Sequence, residues 1–386
     1  MKMKSLCHSA IAVLLFGLAV VPAQAAFKSL YVFGDSLSST ADGTGSLYYD
    51  GRDSNGRVWV EVLAQRQGLI YDATKNNSYW NHTSAQTAID VKNFAPPPDV
   101  ASDLFIVWVC NADTFDAATA QPTLTFAQWQ ATNALSQTNY LQIITNLYAK
   151  GVRTLILPNA VDLSEIPAFN AGTLAPGMHA GCMDYKTKFS NTINQARALC
   201  PGLKIYALDF FTLLNNVLTN PASYGLTNAL SAKGYSIDAL TALYANAQTV
   251  PLNGPGTNYI FWDSQDPTAE FHEVIADIVQ QSVSQVQISQ ITAFAGSNQL
   301  YVANYPAGLS GFVEASTNMA PGSWTAVQNI TSTNTTQSFF VSQLTTTNNT
   351  GAGLSGAIPS LLGGPPPTYI ALEFYRLHFP YAWSWP

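Results

Sequence analysis

The sequence predicts an α/β fold, a parallel sheet covered by helices on both faces, followed by a small all-β module. Two observations carry this. Short, nearly continuous apolar runs alternate with helical stretches up to about residue 287, the pattern of strands buried on both sides. Beyond that point charged residues almost vanish, Thr, Ser, Asn and Gly dominate, and short alternating segments take over.

The elements follow in order. Ser29–Phe33 is a short apolar run that stops at Gly34 and reads as a buried strand. Val58–Leu63 follows the turn signal Ser54-Asn55-Gly56 and opens a helix. Asp103–Val109 is the strongest strand, almost entirely apolar. Phe126–Lys150 is helical and closes on Gly151, a natural C-cap. Thr154–Leu157 is a strand stopped by Pro158, Tyr185–Leu199 a helix and Leu203–Leu208 a fourth strand. Phe271–Val283 is the last helix of this region, with Phe271, Val274, Ile275, Ile278 and Val279 on one face. In the tail, Gln299–Ala303, Gly311–Ala315 and Ser338–Val341 read as strands. A final strand, Tyr369–Leu377, follows the loop Gly363-Gly364-Pro365-Pro366-Pro367. The aromatics of Tyr381-Ala382-Trp383-Ser384-Trp385 read as strand packing.

The chain's 386 residues suit two domains. Its 47% hydrophobic and 10% charged composition excludes long disorder. A net charge of −7 with no Lys/Arg run argues against a nucleic-acid partner. Lys2 and Lys4, the apolar run Ile11–Val21 and Ala23-Gln24-Ala25 form a secretory leader cut after Ala25. The run is short for a membrane anchor, and no other segment reads as transmembrane. The expected organisation is therefore a leader at 1–25, an α/β domain at 26–287 and a β-sandwich at 288–386. The expected location is secreted, periplasmic or extracellular. Cleavage leaves Cys110, Cys182 and Cys200. Cys110 ends an apolar run and reads as a buried thiol, and Cys182 and Cys200 as the pair an oxidising compartment would join. No cysteine spacing suggests zinc.

Chemistry begins at Gly34-Asp35-Ser36-Leu37. A serine between a buried strand and a helix start sits at the sheet's edge, where a nucleophile is useful. Phe33-Gly34-Asp35-Ser36-Leu37-Ser38 resembles the first block of the GDSL, or SGNH, family of serine esterases and lipases. The resemblance continues in order. Gly51-Arg52-Asp53-Ser54-Asn55-Gly56-Arg57-Val58-Trp59-Val60-Glu61 is similar to the segment entering the family's first helix. Val109-Cys110-Asn111-Ala112-Asp113 stands in the place of its Gly-x-Asn-Asp block, and Phe261-Trp262-Asp263-Ser264-Gln265-Asp266-Pro267-Thr268 in that of its Asp-x-x-His-Pro-Thr block. The resemblance spans residues 27 to 287.

It implies a three-layer α/β/α sandwich of flavodoxin-like type with Ser36 as nucleophile. It makes Asn111, the Ser36 N–H and, in place of a glycine, Asn81 the oxyanion hole. Asp263 would orient the catalytic histidine, and Asp35 would hold the turn. Asn is among the residues that best tolerate the positive φ such a glycine position demands. Cys110 stands where the family has glycine. Asp266 stands where it has its histidine and reads instead as a helix N-cap before Pro267. His272, six residues on, is then the nearest candidate base, with His82 second, while His179 and His378 read as structural or surface residues.

The leading expectation is a secreted ester hydrolase working through an acyl-enzyme, with no metal or organic cofactor. Its substrate would be a small-molecule, lipid or carbohydrate ester. The lack of a long apolar lid favours soluble or carbohydrate-borne esters. The alternative is a catalytically silent protein of the same fold that binds glycan or cell-surface material. The tail resembles fibronectin-like sandwiches of bacterial secreted proteins, through Glu314-Ala315-Ser316-Thr317-Asn318, Trp324 and Phe374-Tyr375-Arg376-Leu377. It would contact glycan or a surface.

Overall fold

The computed structural model describes residues 27–227, 238–240, 251–294, 296–344 and 373–379. The leader expected at 1–25, the first residues of the strand expected from Tyr369 and the aromatic terminus lie outside them.

Five parallel strands form one sheet: β1 (Leu30–Gly34), β2 (Asn76–Ser78), β3 (Leu104–Trp108), β4 (Thr154–Pro158) and β5 (Lys204–Leu208), in the order β2-β1-β3-β4-β5. β1 and β3 run in register from Leu30 against Leu104 to Gly34 against Trp108. The helices are α1 (Trp59–Arg66), α2 (Ser84–Asn93), α3 (Cys110–Thr119), α4 (Phe126–Ala149), α5 (Ala175–Leu199), α6 (Phe210–Thr219) and α7 (Ala269–Val283). With right-handed crossovers, this strand order places α1 and α7 on one face and α2, α4 and α5 on the other. α1 packs on α7, and α4 on both α2 and α5, as that arrangement requires. The expected α/β/α sandwich is what the chain forms.

Local chemistry explains the element ends. α1 starts where the Val58 N–H donates to Glu61 Oε2 at 2.9 Å, while the Arg52 guanidinium donates to both oxygens of the same carboxylate. α4 opens on Thr125, whose N–H donates to Gln128 Oε1 and whose hydroxyl accepts the Gln128 N–H. It closes at Gly151, with φ +100°. Gly34 is required by close approach: a Cβ there would lie 2.6 Å from Ser78 Oγ and 2.9 Å from Ser38 Cβ. α5 begins ten residues before the expected Tyr185, because Gly181 lets it lie against the Trp129 ring of α4.

Two expectations are corrected. Cys182 and Cys200 are both free and buried. One lies within α5 and the other caps its end, 18 residues on. At 1.5 Å per residue they are about 27 Å apart, far beyond the roughly 7 Å a disulfide can span. Nor does Asp266 cap the last helix of the α/β region. Thr268 does, its hydroxyl accepting the Phe271 N–H at 3.2 Å.

After α7 come β6 (Gln287–Phe294), β7 (Ser297–Ala303), β8 (Ser310–Ser316), β9 (Thr325–Thr331), β10 (Thr336–Ser342) and β11 (Phe374–His378). They make two antiparallel sheets, β10-β7-β6 and β11-β8-β9, around a core that includes Leu300, Val302, Tyr305, Val313, Val341 and Phe379. This unit is fastened to the end of α1. Ala307 N–H donates to Arg66 O at 3.3 Å, and Arg66 Nη1 donates to Ala307 O at 3.2 Å.

Candidate active site

The carboxyl ends of parallel strands gather the loops that can hold a ligand. Here they surround a cavity open to solvent on one side. Ser36 enters it from the turn after β1, Asn81 from the loop after β2, Asn111 from the start of α3 and Asp266 from the loop before α7. The rest of the wall is almost wholly apolar, with Leu37, Trp108, Phe115, Leu163, Phe210, Leu214, Phe261, Phe271 and Ile275. Trp80 stands exposed beside Asn81. No lysine or arginine is among the lining residues.

Ser36 sits in a tight turn. Asp35, beneath it, accepts the Leu37 N–H at 3.2 Å through Oδ1. Asp35 is 1% exposed, and burial pushes its carboxyl up to about 7, against the pull of the Leu37 and Ala112 amides. Ala112 belongs to α3, so Asp35 bears on both the serine turn and the helix carrying Asn111. That gives the signature aspartate its physical role.

Asn111 is 9% exposed. Its Oδ1 accepts the Val161 N–H at 3.0 Å, and its Nδ2 makes no hydrogen bond. The amide lies near enough to Asp35 to favour the ionised carboxyl, yet closes no bond on it within 3.5 Å. Two residues on, Asp113 Oδ1 accepts the Ser84 N–H at the head of α2, and its Oδ2 accepts the Ser136 hydroxyl. Asp113 thereby ties α3 to α2 and α4. Asn81 has φ +54°, the left-handed conformation. Its side chain lies near Asp116 of α3 and favours that carboxyl's ionised form.

Asp263 does not line the cavity. Its Oδ1 accepts the N–H groups of Gln265 (2.8 Å) and Asp266 (2.7 Å), and its Oδ2 accepts the Tyr48 hydroxyl at 2.7 Å. Both oxygens are engaged without a histidine. Tyr48 was not legible as a site residue, since nothing in its surroundings in the sequence marks it. Asp266 does line the cavity; burial, then the charges of Asp263, Asp53 and Asp35, hold its carboxyl well above the usual range. Burial and the charges of Asp263 and Asp42 raise Asp53 to about 6.

Ser36, Asn81 and Asn111 are thus brought together, and His272 is not brought to them. It is 1% exposed, accepts the Trp59 N–H at Nδ1 (3.3 Å), and burial lowers it to about 3. Its place six residues past Asp266 puts it on the face of α7 that packs on α1. His82 Nε2 pairs with Asp90 at 2.7 Å, and His179 Nδ1 with the fully buried Asp162 at 2.6 Å. His378 lies in β11, 3.6 Å from Glu314. None of these four histidines lines the cavity. Among the described residues no group of acids, histidines and cysteines is arranged to hold a metal, and no helix is long and apolar enough to cross a membrane.

Comparison with known proteins adds the following. A family model described as GDSL-like lipase/acylhydrolase matches residues 30–279. The GDSL esterase/lipase At5g03810 of Arabidopsis thaliana is 29% identical over 148 residues, 36% of this chain and 41% of that protein. The GDSL esterase/lipase EXL3 of the same plant is 25% identical over 193 residues, 47% and 51% of the two chains. The matches thus span about half or less of these relatives. Among solved structures, BT4096, described as a gut microbial diltiazem-metabolizing enzyme, aligns with a TM-score of 0.39 and 8% identity, covering 79% of this chain and 62% of its own. AlinE4, described as an SGNH-hydrolase family esterase, aligns with a TM-score of 0.31 and 15% identity, covering 57% and 94%.

Proposed function

The chain belongs to the GDSL-like lipase/acylhydrolase family, and from that premise we propose that it is a secreted serine hydrolase of carboxylic esters. Ser36 Oγ attacks the carbonyl carbon and forms an acyl-enzyme, which water then opens. The developing oxyanion is received by the Asn111 amide and the N–H groups of Ser36 and Asn81. The observation that carries this reading is the convergence of Ser36 and the Asn111 amide on one cavity, with Asn111 Nδ2 near Asp35 but closing no hydrogen bond within 3.5 Å. An oxyanion is a partner such a donor suits.

The cavity wall favours a hydrocarbon acyl group of several carbons over acetyl. Burying each methylene against Phe115, Phe210 and Leu214 contributes about 0.8 kcal/mol. The alcohol side, carbohydrate-borne or lipid, meets the exposed Trp80. In this reading residues 1–25 are removed on export, 26–287 carry the chemistry, and the fibronectin-like unit at 288–386 contacts glycan or a surface.

The test is hydrolysis of p-nitrophenyl esters from acetate to dodecanoate by the exported protein and by Ser36→Ala. Turnover should rise with acyl length beyond acetate and fall at least about 10³-fold in the variant. Hydrolysis unchanged in Ser36→Ala overturns the reading. A second reading, a silent binding protein, is favoured by one observation: the family's histidine is replaced by Asp266. It predicts no covalent capture of Ser36 by a fluorophosphonate, whereas the hydrolase is labelled there.

A further inference from the structure

Each candidate histidine is committed elsewhere: His82 to Asp90, His179 to Asp162, His272 to the Trp59 N–H, His378 to the surroundings of Glu314. A serine nucleophile still needs a proton acceptor that borders its cavity. We propose that the side-chain carboxylate of Asp266 is the general base, and then the general acid, of Ser36; this rests on the serine-hydrolase reading above.

Position is the first support. Asp266 borders the cavity that Ser36 and Asn111 also line. No hydrogen bond joins Asp266 directly to Ser36, a separation that substrate closure commonly removes at catalytic pairs. Rigidity is the second. The loop is cinched by Asp266 itself: its carbonyl accepts the Trp262 N–H at 2.8 Å, and its own N–H donates to Asp263 Oδ1 at 2.7 Å. An antiparallel bridge between Phe261 and Pro267 closes the base of the loop. Asp263, held in turn by the Tyr48 hydroxyl, positions Asp266 rather than a histidine.

Surroundings are the third. The charged groups bearing on Asp266 are Asp263 in its own loop, Asp53 in the segment before α1 and Asp35 beneath Ser36. All are acidic, and the lining holds no cation. An exposed aspartate, near 3.9, is too weak a base for a serine hydroxyl. Burial among like charges raises its proton affinity well above that of an exposed aspartate.

The step balances. Ser36 Oγ–H gives its proton to the ionised Asp266 as Oγ bonds the carbonyl carbon, and the carbonyl electron pair moves to oxygen. Collapse restores the carbonyl and breaks the bond to the alcohol, which leaves with the proton from Asp266. Water then gives a proton to Asp266 as its oxygen bonds the acyl carbon. The second collapse breaks the carbon–Oγ bond, returns that proton to Ser36 and releases the acid. One water is consumed and Asp266 is ionised again.

The experiment measures kcat and KM for p-nitrophenyl butyrate from pH 5 to 9 with wild type, Asp266→Asn, Asp266→His, His179→Ala, His82→Ala and Ser36→Ala, with melting temperatures alongside. Asp266→Asn should melt near wild type, keep KM and lose about 10²–10⁴ in kcat. Asp266→His should recover turnover, with a pH profile that turns near the histidine value of about 6.5. Asp266→Asn within about threefold of wild type, or loss of turnover in His179→Ala or His82→Ala with Asp266→Asn active, overturns the inference and leaves the hydrolase standing. Wild-type turnover that Ser36→Ala does not change overturns the hydrolase itself.

Discussion

Asn111 Oδ1 accepts the N–H of Val161 at 3.0 Å. This single bond joins the start of α3 to the loop after β4 and fixes which end of the amide is left over. The oxygen is spent on the backbone, so the nitrogen is the end left near Asp35 at the cavity that Ser36 borders.

Replacing Asn111 tests that polarity. Asn111→Asp keeps an acceptor for Val161 and removes the donor. We expect kcat for a p-nitrophenyl ester to fall about 10²–10³-fold, or roughly 2.7–4 kcal/mol, with KM little changed. The new carboxyl beside the buried Asp35 should also cost stability, so urea unfolding of the same variant is read alongside kcat to separate the two effects.

Asn81 has φ +54°. A residue without asparagine's local hydrogen bonding is strained there by about 1–2 kcal/mol. Asn81→Ala should lower stability by about that much in urea titration, while Asn81→Gly should not. Glycine should also preserve turnover better than alanine, because the backbone N–H keeps its direction.

Arg66 ties three parts of the molecule. Its Nε donates to Asp277 Oδ1 on α7 at 2.7 Å, and its Nη1 donates to Ala307 O in the β unit. The Arg66 side chain is 4% exposed and that of Asp277 11%. Removing one partner of a buried pair costs about 3–5 kcal/mol. Arg66→Ala should therefore lose that much on chemical unfolding, while Ser36 remains reactive to a fluorophosphonate under native conditions.

The pH dependence of stability has two opposed parts. His272 is lowered from 6.5 to about 3 in the folded chain. The unfolded chain binds the extra proton between those values, so this part is fully present above 6.5 and is lost as pH falls toward 3. Asp35 and Asp53, raised from 3.8 to about 7 and about 6, act the other way. The folded chain holds their protons where the unfolded chain has released them, so stability drops as pH rises from about 4 to 7. The steepest slope of each is about 1.4 kcal/mol per pH unit. Urea midpoints at pH 4.5, 6 and 8 should show His272→Asn holding up better than wild type in acid and Asp35→Asn better at pH 8. His272→Asn should keep ester turnover.

Where apolar pattern decides structure, the sequence is legible. Asp103–Val109 contains β3, and the apolar face of Phe271–Val283 is the packed face of α7. β2 was not legible: Asn76-Asn77-Ser78 has no apolar residue, and its strand character comes from pairing with Val32, Phe33 and Gly34. α3 hides for a similar reason, since the residues around Asn111 read as a loop block. Ser36, Asn81 and Asn111 could be named as candidates because the ordered blocks resemble those of the family, and all three line one cavity at the carboxyl end of the sheet. His272 was misplaced because spacing along a chain does not reveal which face of a helix a neighbouring helix will bury. The cysteine pair was misplaced because counting thiols ignores the length of the helix between them.

The two acids of the cavity lining bear on what the proposed reaction would leave behind. Whatever charge Asp35 and Asp266 carry is of one sign, Asp53 and Asp263 bear on Asp266 with the same sign, and no basic residue lines the cavity to offset it. An ester enters neutral and meets only greasy walls, but the acid left by hydrolysis ionises in water near neutral pH. Wherever those carboxyls are ionised, product and pocket would repel, so in the proposed hydrolase the wall that admits the substrate would eject what it becomes.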